Sequence, residues 1–113
     1  MSRFNRLPAF EKEIKRLQKK YKTLEDDLEK FEKVLVTSPT GVGENFTIVH
    51  DSGNIKIVKA RMACRALRDR SLRVIYAYLE QEQEIDFIEI YFKGDKENEN
   101  RDRIVEYFKS DQS

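Results

Sequence analysis

Lys59, Arg61 and Arg73 bracket the stretch KARMACRALRDRSLR, where residues 59–73 hold six basic side chains and one acid, Asp69, in a 113-residue chain of formal net charge +1. Guanidinium forks bind phosphate oxygens bidentately and lysine adds a compact point charge, so this stretch suits a polyanion if it is displayed on a rigid surface. In an extended strand Lys59 and Arg61 are two apart and share a face. A chain that turns back through CRALRDRS brings Arg73 across from them in an antiparallel pair. Lys93 and Lys96, in YFKGDKEN, leave the last apolar run and can approach the same region. Such a group could bind RNA, and could cleave it through the RNA's own 2′-hydroxyl. That reaction needs a base for the hydroxyl proton, cations for the pentavalent phosphate and an acid for the leaving oxygen; a lysine whose pKa is lowered by neighbouring cations can serve as the base. By composition alone the same residues also describe a solvated charged surface, and both readings stand at this point.

Other chemistries are excluded by residue supply. The single histidine, His50, adjoins the turn-forming DSG and reads as a loop residue; one histidine cannot build a two-histidine ribonuclease or a histidine-rich metal centre. The single cysteine, Cys64, excludes an internal disulfide and a cysteine-rich zinc site, and reads as a small buried apolar residue. No phosphate-loop pattern occurs, since GVGEN lacks the lysine and the following helix. Glu80, Glu82 and Glu84 surround a hairpin turn, where solvated charge is ordinary. No metal and no cofactor are expected.

The elements that must position the basic residues are legible in the apolar spacing. Phe10, Ile14, Leu17 and Tyr21 fall on one helical stripe after Pro8, and Leu24, Leu28, Phe31 and Leu35 repeat the spacing after Thr23, which with Asp26 resembles a capping box. Only Tyr21 to Thr23 separate the two, so an antiparallel helical hairpin is expected, ending before SPTGVG. ENFTIVH and NIKIVKARMA flank DSG as one β-hairpin; SLRVIYAYLE and EIDFIEIYFK flank QEQ as a second. Both alternating sets of the SLRVIYAYLE strand are substantially apolar, which predicts an inner strand partly covered on both faces. RFNRL is long enough for a short strand or an extended arm. Asn98 or Asn100 can cap a short terminal helix with Ile104, Tyr107 and Phe108 as its apolar face. The expected fold is α+β: a helical hairpin on a small, mainly antiparallel sheet, with a short C-terminal helix, in one domain over residues 1–113. No apolar run approaches the roughly 20 residues of a membrane span, and MSRFNRLPAF has no signal-peptide core, so a cytoplasmic protein is expected. Residues 74–113 carry five basic and eleven acidic groups, so folding could show the basic segment to an anionic partner or turn it against this acidic third.

FEKEIKRLQKKY in the first helix, SLRVIYAY in a central strand and FIEIYFKGDKEN at the end of the sheet together resemble the RelE/ParE superfamily of toxin–antitoxin toxins, in its RelE-like branch, over nearly all of residues 4–108. The resemblance implies a bacterial toxin that enters the ribosomal A site and cleaves mRNA there as a metal-independent endoribonuclease, restrained by a cognate antitoxin. Its assembly would be a homodimer or a toxin–antitoxin hetero-oligomer. It implies Arg73, in LRVIY, as the contact to the scissile phosphate, Lys59 and Arg61 as base and charge stabiliser, and Lys96 as a further catalytic cation. Arg65, Arg68, Arg70 and Lys93 would bind RNA. The family often places a tyrosine or histidine after the last strand's basic residue; here no histidine follows, and Tyr107 lies well into the terminal helix. That departure keeps two alternatives, a ParE-like DNA gyrase inhibitor and a degenerate, non-toxic interaction domain.

Overall fold

The computed structural model describes residues 3–68 and 70–111, so Asp69, the one acid of the basic stretch, lies outside the described residues. Strand β1 (Arg3–Arg6) leads into helices α1 (Pro8–Gln18) and α2 (Leu24–Thr37), then strands β2 (Phe46–Asp51) and β3 (Ile55–Ala63). A single 3-10 turn, Arg65–Leu67, precedes strands β4 (Ser71–Leu79) and β5 (Glu84–Phe92), and helix α3 (Arg101–Asp111) closes the chain. The five strands form one sheet in the order β1-β5-β4-β3-β2. Only β1 runs parallel to its neighbour; every other pair is antiparallel. The class is α+β, as the apolar spacing predicts.

The helical hairpin forms because both stripes bury against one face of the sheet. Phe10, Ile14, Leu17, Leu24, Leu28, Phe31 and Leu35 meet Val58, Ala60, Met62, Leu72, Val74, Tyr76, Phe87 and Ile90 in one continuous core. Each buried Val, Leu, Ile, Phe or Met among them contributes about 1.5–3 kcal/mol. The hairpin turn is closed by Gln18, whose side-chain oxygen accepts from the Glu25 N–H (3.1 Å) and whose amide donates to the Lys22 carbonyl (2.8 Å). The capping box is absent: the Thr23 hydroxyl donates instead to Asp27 Oδ2 at 2.7 Å. Asp27 also accepts from the Arg65 N–H at 3.1 Å, which ties α2 to the turn that precedes β4. Cys64 is buried beside this joint. Beyond α2, Gly41 adopts φ +73°, and a methyl added there would overlap the Phe46 ring, which stacks on Phe31. The Tyr76 hydroxyl fastens the same connection by donating to the Pro39 carbonyl at 2.7 Å.

The second face carries a smaller core. Ile55, Ile57, Ile75, Ala77, Leu79 and Ile88 pack with Leu7 and with Ile104, Tyr107 and Phe108 of α3. β4 is therefore covered on both faces, Leu72, Val74 and Tyr76 to the hairpin and Ile75, Ala77 and Leu79 to the other side. A register shift between Ile75 and Tyr76 marks a bulge in β5: Glu89 pairs with Ile75 and Phe87 with Tyr76, leaving Ile88 as the extra residue. Asn100 caps α3, its side-chain oxygen accepting from the Asp102 (3.1 Å) and Arg103 (3.4 Å) N–H groups. His50 is not a loop residue: β2 extends through Asp51, and the imidazole rests on the Phe108 ring at 4.8 Å.

Candidate phosphate-binding site

The sheet register sets two adjacent rows across the face opposite the helical hairpin. In one, Lys59 lies opposite Ile75, which lies opposite Glu89. In the next, Arg61 lies opposite Arg73, which lies opposite Tyr91. At the Ile57 end the face is apolar and covered by α3; toward the Arg61 row it becomes cationic and open. Like charges directly opposite on neighbouring strands destabilise the pair by about 0.2–1 kcal/mol. A sheet that nonetheless pairs Arg61 with Arg73 retains a cost that a bound anion would relieve.

Two adjoining hollows share Arg61, Arg73 and Lys93 as lining residues. The first, of about 480 Å³, adds Arg70, Ser71 and Phe92. The second, of about 270 Å³, adds Lys59, Thr47 and Glu99, with Glu44 at its rim. Arg73 is aimed by Ser71, whose hydroxyl (2.9 Å) and carbonyl (3.3 Å) both accept from Nη1. The Arg70 guanidinium lies 5.8 Å from the centre of the Phe92 ring. Among the described residues, Arg61, Arg73 and Lys93 make no ion pair, in a chain that has 21 acidic side chains. A larger hollow of about 580 Å³ lies between α1, β5 and α3, but it is mainly apolar and two of its charged groups are already engaged: Asp86 accepts from Tyr107 (2.8 Å) and Asn5 (2.9 Å), and Arg103 holds Glu13 (2.7 Å).

The other cations expected from the sequence divide. Lys59 is on the face, with its amine 3.0 Å from Glu99. Burial lowers that amine, but Glu99 and the adjacent Tyr91 hydroxyl outweigh burial and hold it above the ordinary lysine value. In this state Lys59 is suited to stabilising charge rather than to accepting a proton. Lys96 turns toward the fully buried Glu89 and contacts it directly. Burial, reinforced by Arg103 and Arg16 against Glu13 and Glu99, lowers its amine, while the direct contact with Glu89 favours its charged form. Arg65 leaves the face altogether: it donates to Asp27 (3.4 Å) and Asp26 (3.5 Å) of α2. Arg68 is exposed, with φ 53°, and lines neither hollow.

Tyr91 escapes the sequence reading. It is 3% exposed and occupies the Arg73 row, with the Lys96 amine 5.0 Å from its ring centre. Its hydroxyl stands beside the Lys59 amine, toward which it can only accept, and is the one buried side-chain polar atom among the described residues that meets no partner at ordinary hydrogen-bond distance and angle, so its own proton has no acceptor. Strand alternation was the available signal, because pairing SLRVIYAY with EIDFIEIYF puts one of the aromatic residues before Lys93 in the row of Arg73. Tyr107, in contrast, is committed to Asp86 under α3.

A phosphodiester laid across Arg61, Arg73 and Lys93 would meet two guanidinium forks and an ammonium on a rigid support, which suits both binding and stabilisation of added negative charge. Among the described residues no group of three or more His, Cys, Asp or Glu side chains is placed to hold a metal ion, and no helix is long and apolar enough to cross a membrane. No family model matches the chain, and no curated protein matches it.

Proposed function

We propose that this chain is a toxin of the RelE-like kind, a ribosome-dependent endoribonuclease that cuts mRNA in the A site and is restrained by a cognate antitoxin in the cytoplasm. The observation that carries the reading is the convergence of Arg61, Arg73 and Lys93 on one hollow without any carboxylate partner among the described residues, beside a buried tyrosine. In the proposed reaction the 2′-oxygen attacks phosphorus and loses its proton to a base. The bond to the 5′-oxygen breaks as that oxygen is protonated, leaving a 2′,3′-cyclic phosphate and a 5′-hydroxyl. Arg73 and Arg61 hold the phosphoryl oxygens, Lys93 neutralises the neighbouring phosphate, and Lys96, once released from Glu89, is the lysine assigned to proton transfer.

The test is a bacterial cell-free translation reaction, with mRNA ends mapped by primer extension and Arg73→Ala alongside. The expected result is cuts at codons in the A site, reduced at least about a hundredfold in the variant, the scale for removing one donor to a developing oxyanion. Full-length mRNA under a protein that still arrests growth and provokes DNA damage would replace this reading with gyrase inhibition. Absence of both effects would point to an interaction domain without toxicity.

A further inference from the structure

The Lys59 row differs from the Arg61 row in one respect: a carboxylate of the same chain already occupies it. Glu99 precedes α3, is 10% exposed at its side chain, and places Oε1 3.0 Å from Lys59 Nζ. It lines the same hollow as Arg61, Arg73 and Lys93. Lys59 and neighbouring groups hold its carboxyl below the ordinary glutamate value despite burial, so it stays charged there. The segment carrying it is pinned from the other side, the Asn100 N–H donating to Glu89 at 2.8 Å. Beside this ion pair lies the Tyr91 hydroxyl, buried and with no acceptor for its proton. Buried donors are normally satisfied, and an orphaned one next to an occupied cation marks a place whose present acceptor fills only part of it. A backbone phosphodiester carries two charged oxygens at a tetrahedral angle and a longer reach than a carboxylate, whose two oxygens lie in one plane with their carbon.

We infer that Lys59 and Tyr91 form a second phosphate subsite, that Glu99 is its internal occupant in the free protein, and that an RNA backbone phosphate displaces Glu99 when the neighbouring phosphate lies on Arg61, Arg73 and Lys93. This rests on the reading that the face binds RNA. The geometry of the strand suits it. Lys59 and Arg61 are two residues apart on β3, about 6.6 Å along the strand, comparable with the step between successive phosphates of a single-stranded nucleic acid. Glu44, the other carboxylate of the hollow, is exposed and makes no ion pair among the described residues, so it does not compete for Lys59.

Displacement has a signature in salt dependence. A phosphate that takes Lys59 from solvent releases a counterion; one that takes it from Glu99 leaves a bare carboxylate that gathers a counterion back. The wild-type protein therefore gains almost no counterion release from this subsite, whereas Glu99→Gln should gain about 0.7 in the slope of log K against log salt. We would measure anisotropy of a labelled, uncleavable 2′-O-methyl RNA single strand across 50–200 mM KCl, with a thermal melt of every variant. Glu99→Gln is expected to bind roughly two- to fivefold tighter at the lowest salt, the scale of a partly exposed ion pair. Adding Lys59→Gln should return the slope to the wild-type value, and adding Tyr91→Phe should cost about threefold in affinity without changing the slope. Glu99→Asp, which keeps the charge but shortens its reach, should fall between wild type and Glu99→Gln, so the comparison does not hang on one variant. Unchanged affinity and slope in a folded Glu99→Gln protein would reduce Glu99 to a tether for α3 and overturn the inference. Arg73→Ala separates the two levels: if it abolishes RNA binding while Glu99→Gln is silent, only the second subsite fails. If Arg73→Ala binds RNA as wild type does, the RNA reading fails with it.

Discussion

Replacing Asp27 by asparagine removes one charge and turns one acceptor oxygen into a donor at the joint between α2 and the turn before β4. Asp27 is 5% exposed and accepts from the Thr23 hydroxyl (2.7 Å), the Arg65 N–H (3.1 Å) and Arg65 Nε (3.4 Å). An asparagine oxygen can keep the first two, but its NH2 then faces the Arg65 guanidinium, donor against donor. Arg65 is half exposed and can turn to water, so that arm contributes little. The main loss is the charge behind two buried hydrogen bonds, and bonds to charged groups contribute about 1.5–3 kcal/mol against about 1 for neutral ones. A cost of about 1.5–3 kcal/mol follows, or a fall of roughly 6–12 °C in Tm at this chain length. The pH dependence carries a second signature. Burial raises the Asp27 carboxyl, but the bonds from Thr23, Cys64 and Arg65 outweigh it and hold the group below its ordinary 3.8. A carboxyl depressed in the folded state contributes stability that is full above its unfolded pKa and lost as pH falls through the folded value, so the window lies below about pH 4. Urea midpoints by circular dichroism at about pH 7, 4 and 2.5 should show wild type and variant converging as the acid limit is approached. A gap that stays constant with pH, or is under about 0.5 kcal/mol at pH 7, would refute the reasoning.

Glu89→Gln withdraws the charge that holds Lys96 and the Asn100 N–H. It should cost about 2–4 kcal/mol and speed hydrogen exchange through the first turn of α3, and unchanged exchange there would show that α3 is held by its apolar face alone. Gly41→Ala combines a left-handed backbone with overlap of the Phe46 ring and should lower stability by about 2–4 kcal/mol; a urea midpoint equal to wild type would mean that the connection after α2 shifts freely. Arg65→Ala should leave the salt slope of RNA binding unchanged while Arg61→Ala reduces it by about 0.7, and the opposite ranking would place the RNA on the α2 side of the molecule.

Period was the readable part of this chain. The stripes Phe10–Leu17 and Leu24–Leu35 and the two hairpins follow from local alternation, which is why the approach of Arg73 to Lys59 and Arg61 was already visible in the spacing around CRALRDRS, while the pairing of Arg73 with Arg61 comes from the register. What stayed hidden depends on contacts between distant segments. The RFNRL segment is compatible with an arm or a strand, and only the open edge of β5 makes it a parallel strand. The bulge at Ile88 breaks the alternation that a regular strand would give, so the face that Glu89 takes is not readable from spacing. The site was half legible for the same reason. Sequence shows which residues are cationic, but whether a cation is free depends on where carboxylates arrive: Asp26 and Asp27 claim Arg65, Glu99 claims Lys59 and Glu89 claims Lys96. Tyr91 was overlooked because an aromatic residue in an apolar strand reads as packing, and an orphaned hydroxyl is a property of surroundings rather than of spacing.

Strand β5 has a consequence for the order in which the molecule can come into being. β1 pairs along it across 81 residues of sequence, α1 packs on its inner side, and α3 rests on its outer side. During synthesis β1 and the helical hairpin emerge well before the strand they pack on, so the hairpin's apolar stripe must wait in the meantime. The cationic face waits as well, since Tyr91 and Lys93 arrive with the end of the same strand. A nascent chain that has not passed Phe92 has neither a finished core nor a finished site, and activity of any kind on this face begins only after residues 91–93 have been made.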